Sequence, residues 1–178
     1  LLHGFPQRAT AWDAVSEHLH AAGLRTYAPD QRGYSPRARP SSRFAYGIDE
    51  LVADVVELID QIGRPVHLVG HDWGAIVAWA VAGQHRDLVR TLTAVSVPHP
   101  AAFVRAAGTS TQGLKSYYMA MFQLPVVPER LLSDRSTAEK LLRGGGMTAE
   151  MFDDYMTNIV EAGALRGGLG YYRSLPRS

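Results

Sequence analysis

Apolar positions recur along this chain with two different periods. Leu51, Val52, Val55, Val56, Leu58, Ile59 and Ile62 fall at helical spacing, and Gly63 and Pro65 end the run, which predicts a helix over 48–62. Short apolar or β-branched runs over 24–29, 66–69 and 91–97 read as strands. Leu1-Leu2 reads as the tail of a strand already in progress. The stretch from Gly74 to Gln84 is apolar and rich in alanine and predicts a second helix, and His18 and His20 lie on another. Strand and helix therefore alternate as far as Val97, the signature of a parallel sheet with crossover helices. Beyond Pro98 no comparable strand follows. Ser116–Gln123, Glu129–Arg143 and Thr148–Glu161 predict helices separated by proline and glycine, and a last segment carries Tyr171 and Tyr172. The expected organisation is a partial α/β core over 1–97 and a helical region over 98–178, with the remaining strands of the core expected outside this sequence. Gly144-Gly145-Gly146 is a joint too short to separate independent domains.

Composition narrows the function classes. Of 178 residues, 46% are hydrophobic and 20% charged, a balance that builds a core and argues against disorder. The net charge of +1 offers no field directed at phosphates, so no nucleic-acid partner is expected, and the basic loop from Gln31 to Arg39 reads as a solvated loop. No cysteine is present, which excludes disulfides and thiolate chemistry and fits a cytoplasmic setting. No apolar run reaches membrane-spanning length, so no membrane partner is expected.

The chemistry centres on Gly70-His71-Asp72-Trp73-Gly74, which lies between a predicted buried strand and a predicted helix. That is the setting of a nucleophile elbow: the turn is tight, its flanks must be small, and the central residue stands at a helix N-terminus that favours an anion. Asp72 occupies the centre and is anionic without a base. Its other reading is a plain helix cap. No serine elbow competes, since Gly108-Thr109-Ser110-Thr111-Gln112 lacks the closing glycine. Upstream, Leu2-His3-Gly4-Phe5-Pro6 ends a strand and opens a loop. In this architecture an oxyanion hole takes one backbone N–H from the residue after the nucleophile and one from such a loop, which points to Trp73 and Phe5.

On His3-Gly4-Phe5-Pro6, Trp12, Asp30-Gln31-Arg32-Gly33-Tyr34, Gly70 to Gly74, and Ser96-Val97-Pro98-His99-Pro100, the chain resembles the α/β-hydrolase family, and within it the epoxide hydrolases and haloalkane dehalogenases. Phe122-Gln123-Leu124-Pro125 and Gly170-Tyr171-Tyr172-Arg173 resemble motifs of the epoxide hydrolase cap. The resemblance implies an α/β-hydrolase fold with a helical cap and cofactor-free hydrolysis of a small apolar epoxide to a diol. Asp72 would be the nucleophile, and Tyr118 and Tyr172 the donors to the epoxide oxygen. Tyr117 and Tyr171 leave each assignment open by one residue; adjacent helical residues face about 100° apart, so one of each pair is expected to face the site. The base histidine and its carboxylate partner are implied beyond Ser178, and none of the seven histidines present is assigned that role. Two further functions stay open: a dehalogenase using the same aspartate, and an inactive relative that only binds apolar ligands. A homodimer is compatible with the sequence and is not specified by it.

Overall fold

A computed structural model of the chain describes residues 1–99, 101, 102, 105 and 117–175. Pro100, Ser116 and the segment from Gly108 to Gln112 lie outside the described residues.

Two strands, β1 (Val66–His71) and β2 (Val89–Val95), pair in parallel, with Leu68 opposite Leu92 and Gly70 opposite Ala94. The N-terminus lies on the other side of β1. Leu2 forms a parallel bridge to Gly70, donating its N–H to Val69 O at 2.8 Å and accepting from His71 N at 3.0 Å. Three helices belong to this half: α1 (Asp13–Ala21), α2 (Ile48–Ile62) and α3 (Trp73–Gln84). Helix α2 buries Leu51, Val52, Val55 and Ile59 along one stripe and ends at Gly63, whose φ of 75° is the left-handed conformation that glycine adopts without a Cβ penalty. Helix α3 is apolar on every side and accordingly sits in the core, with Ala75, Val77, Ala78 and Val81 fully enclosed.

Several predicted elements are corrected. The segment 24–29 forms no strand; its backbone link to the N-terminal run is the Leu1 ammonium donating to Tyr27 O at 2.7 Å. Strand β2 starts two residues earlier than the β-branched run suggests and stops at Val95, because Ser96 turns to a φ of 65°. The single helix expected over 129–143 is two, α5 (Val127–Ser133) and α6 (Arg135–Gly144). The break falls at Asp134, whose extended backbone lets its carboxylate cap α6 through the Thr137 N–H at 3.0 Å. The helix expected over 148–161 becomes α7 (Ala149–Tyr155) followed by a π-helical turn, Met156–Glu161. Two further helices in this region are the short α4 (Tyr117–Phe122) and α8 (Leu165–Ser174).

Helix α8 is packed hard against the loop that follows 24–29. A Cβ on Gly167 would collide with the Gly33 backbone, one on Gly168 would lie 2.9 Å from the Tyr34 hydroxyl, and one on Gly170 would press on the Tyr46 ring. Three glycines thus let the helix backbone reach surfaces that side chains would hold off. Around this contact the Tyr171 hydroxyl donates to Arg32 O at 2.7 Å, and Arg39 donates to both Tyr34 O and Ala162 O.

Candidate active site

Asp72 stands where β1 hands over to α3. Its backbone has φ 51° and ψ −120°, a conformation rare for any residue with a side chain, which costs of order 1–3 kcal/mol and persists where the surroundings enforce it. They do so through three glycines. A Cβ on Gly70 would run into the Gly74 carbonyl, one on Gly74 into the Leu2 carbonyl, and one on Gly4 into the Asp72 side chain. Gly74 therefore seats the turn on the N-terminal strand, and Gly4 brings the upstream loop against the carboxylate.

Asp72 Oδ1 accepts the Phe5 backbone N–H at 2.8 Å, and the N–H of Trp73, the first residue of α3, also turns to the carboxylate. The carboxyl pKa is raised, because burial of the charge outweighs the two N–H bonds and the nearby His71, which all lower it. The two backbone donors expected from the sequence, Phe5 and Trp73, thus converge on one carboxylate.

His3 ties the upstream loop to the segment around Gln31. It is almost completely buried, accepts Gln31 N–H on Nε2 at 3.1 Å, and so donates from Nδ1 to Gly4 O at 3.1 Å. Gln31 returns a bond from its side-chain amide to His3 O at 2.6 Å. Burial pushes the imidazole pKa down to about 4, against the smaller upward pull of Gly4 O and Asp30, so His3 is a neutral strut near pH 7.

Tyr172, on α8, is buried with its ring edge-to-face on Trp73 at 5.2 Å, on Phe5 at 5.3 Å and on Phe122 at 4.8 Å. Its pKa is raised strongly, first by burial and then by the Asp72 charge and Tyr118. Tyr118, on α4, is 38% exposed, and its pKa is raised by burial and then by Asp72. The two rings lie 6.2 Å apart. Tyr171 faces elsewhere: its hydroxyl is spent on Arg32 O, and the carboxylate that raises its pKa after burial is Asp54. Tyr117 begins α4, and its side chain lies outside the described residues. Tyr34, which the sequence marks only as part of a motif, is also enclosed here, its pKa raised by burial first and by Asp72 among its neighbours. The walls of this site, Phe5, Trp73, Phe122 and Tyr172, are aromatic. Among the described residues no cluster of histidine and carboxylate side chains could hold a metal ion, and no helix is long and apolar enough to cross a membrane.

Residues 1–177 match the alpha/beta hydrolase family, and the chain belongs to it. The similar proteins divide by name. The chain is 37% identical over 183 residues to an AB hydrolase superfamily protein of Bacillus subtilis, YfhM, with 98% of this chain and 64% of the relative covered. It is 33% identical over 219 residues to epoxide hydrolase A of Mycobacterium tuberculosis, covering all of this chain and 67% of the relative. The crystal structure of a Bacillus megaterium epoxide hydrolase with an inhibitor superposes with a TM-score of 0.83 at 32% identity, covering 97% of this chain and 63% of that one. The chain therefore spans a little under two thirds of the length of most of these relatives.

Proposed function

We propose that the protein hydrolyses a small apolar epoxide to a vicinal diol through an ester on Asp72, with residues 98–178 forming a cap over the core of residues 1–97. The observation that carries this reading is the Asp72 carboxylate, held by the Phe5 N–H at 2.8 Å, with Tyr172 packed on both Phe5 and Trp73 and the Tyr118 ring 6.2 Å from that of Tyr172. The epoxide hydrolases among the relatives support it.

In this mechanism an Asp72 oxygen attacks one epoxide carbon. The C–O bond of the ring breaks, and its electron pair goes to the ring oxygen, which takes a proton from Tyr118 or Tyr172. The strongly raised pKa of Tyr172 keeps it protonated until that oxygen gains charge. Water then adds to the ester carbonyl, and the Phe5 and Trp73 N–H groups that hold the carboxylate in the resting site hold the oxyanion. The tetrahedral centre then collapses by breaking the bond between the Asp72 carboxyl carbon and the ester oxygen; that oxygen takes up a proton and leaves as the second hydroxyl of the diol, and Asp72 is regenerated carrying one oxygen from water. The family resemblance assigns activation of that water to a histidine beyond Ser178. The aromatic walls favour an apolar substrate.

A single turnover of the intact protein in ¹⁸O-labelled water, followed by peptide mass analysis, tests the ester. Label is expected in the Asp72 carboxylate. Label confined to the diol would mean direct attack by water and would remove Asp72 from its role.

A further inference from the structure

Helix α4 presents a physical problem. It has six residues, too few to be stable by itself, and its final carbonyls have no partner within the helix. Yet it carries Tyr118, and a donor hydroxyl must be held within about 0.5 Å of its working position to act.

The partners come from α8. Arg173 follows Tyr172 directly, and its side chain is mostly buried. Its Nε donates to Phe122 O at 3.1 Å and its Nη2 to Leu124 O at 2.8 Å. The same guanidinium grips the Glu129 carboxylate with both terminal nitrogens, at 2.7 and 2.9 Å. Gln123 completes the exchange, its side-chain amide donating to Tyr172 O. Arg173 of α8 thus holds the last carbonyl of α4, and Gln123, the residue just after α4, holds the backbone of α8 at Tyr172. Between the two grips the chain passes through Val126 at φ 69°, a backbone conformation strained for a β-branched residue that needs its flanks pinned. Lysine could not replace this arginine, because only a planar fork reaches two carbonyls and a carboxylate at once.

We propose that Arg173, with Gln123 and Glu129, is a positioning latch that sets the distance between Tyr118 and Tyr172 and so serves the ring-opening step in particular. The proposal rests on the reading of those tyrosines as donors. Arg173 itself touches neither substrate nor Asp72 in this scheme; it acts through the two helices.

The test uses the intact protein with Arg173→Met, Arg173→Lys and, as the milder change at an exposed site, Gln123→Met. Amide hydrogen exchange without substrate reads the latch directly. Faster exchange is expected over 119–122 in both methionine variants, with 149–155 unchanged, and Arg173→Lys should recover little of the protection. Stopped single turnovers with styrene oxide then separate ester formation on Asp72 from ester hydrolysis. Formation is expected to slow roughly 10- to 100-fold in Arg173→Met, since a misplacement of about 1 Å costs up to 10²-fold, with hydrolysis of the formed ester within about twofold of normal. Unchanged exchange over 119–122 would overturn the latch whether or not the protein opens epoxides. Equal slowing of both steps would reduce Arg173 to general stability and overturn its specific role. A wild-type protein that forms no ester on Asp72 would overturn the epoxide reading, with the exchange data still judging the latch.

Discussion

Gly33 and Gly167 meet backbone to backbone, so that a Cβ on Gly167 would overlap the Gly33 carbonyl and one on Gly33 would lie 2.8 Å from the Gly167 carbonyl carbon. This contact seats the helix that carries Tyr172 against the loop that carries Tyr34. Gly33 is doubly constrained, because its φ of 90° is itself a glycine conformation.

From that contact a stability difference follows. Gly167→Ala should destabilise the intact protein by about 1–3 kcal/mol, the range for overpacking, toward the upper end because the obstructing atoms are backbone and cannot rotate away. Gly83, in α3, has open space where a Cβ would go, so Gly83→Ala should stabilise by up to about 1 kcal/mol through helix propensity alone. Urea midpoints of the two variants check this. Equal midpoints for Gly167→Ala and the wild type would mean α8 does not sit on Gly33.

The two tyrosines of α8 should separate by function. Tyr172→Phe and Tyr118→Phe each remove a donor beside Asp72 and should slow epoxide opening by roughly 10²–10⁴-fold, less if one donor covers for the other. The double variant should be almost inactive. Tyr171→Phe removes a bond to the part-buried Arg32 O, so it should cost about 0.5–1.5 kcal/mol of stability with little effect on the rate. Tyr117→Phe should matter much less than Tyr118→Phe. Rates of diol formation and urea midpoints on the same four single variants decide the matter, and a Tyr171 effect on rate exceeding that of Tyr172 would shift the assignment by one residue.

His3 should leave a signature in the pH dependence of stability. Its pKa falls from 6.5 in the unfolded chain to about 4 in the folded one, so the unfolded state binds the extra proton between those values. Stability from this group is therefore intact above about pH 6.5 and is lost as pH falls toward 4. The full loss is of order 3 kcal/mol, because each tenfold change in proton affinity is worth about 1.4 kcal/mol. His3→Gln keeps hydrogen-bonding capacity without the titration. It should be less stable than the wild type near pH 7, and the gap should narrow as pH falls through that window. A gap that stays constant with pH would mean that His3 is protonated as easily in the folded protein as in the unfolded chain.

Much of the candidate site was legible because its signals are local. Small residues on both sides of Asp72, between an apolar strand and an apolar helix, demand a tight turn whatever surrounds them, and Gly70 and Gly74 occupy the contacts where a Cβ would strike backbone. The helix over 48–62 follows the same logic, since its apolar stripe and its stop at Gly63 are set within a few residues. The strand expected over 24–29 shows the limit. β-propensity is a local property, but a strand exists only when a neighbour supplies a ladder. The break at Asp134 is a second limit: periodicity ran through it, and a capping carboxylate outweighed the period.

By itself the sequence determined the alternation of strand and helix and the elbow with Asp72 at its centre, because each depends on residue types and their near neighbours. Only the tertiary structure decided that the Phe5 N–H of a distant loop reaches the Asp72 carboxylate, that Tyr172 and not Tyr171 lies beside it, and that Arg173 ties α8 to α4. It also decided that the helix carrying Tyr171 and Tyr172 runs through the glycines at 167, 168 and 170. Local propensity counts those glycines as helix breakers, at about 1 kcal/mol each. Packing overrides that propensity, because a helix without side chains on one face can lie directly on Gly33, Tyr34 and Tyr46, and that surface comes from residues more than a hundred positions away.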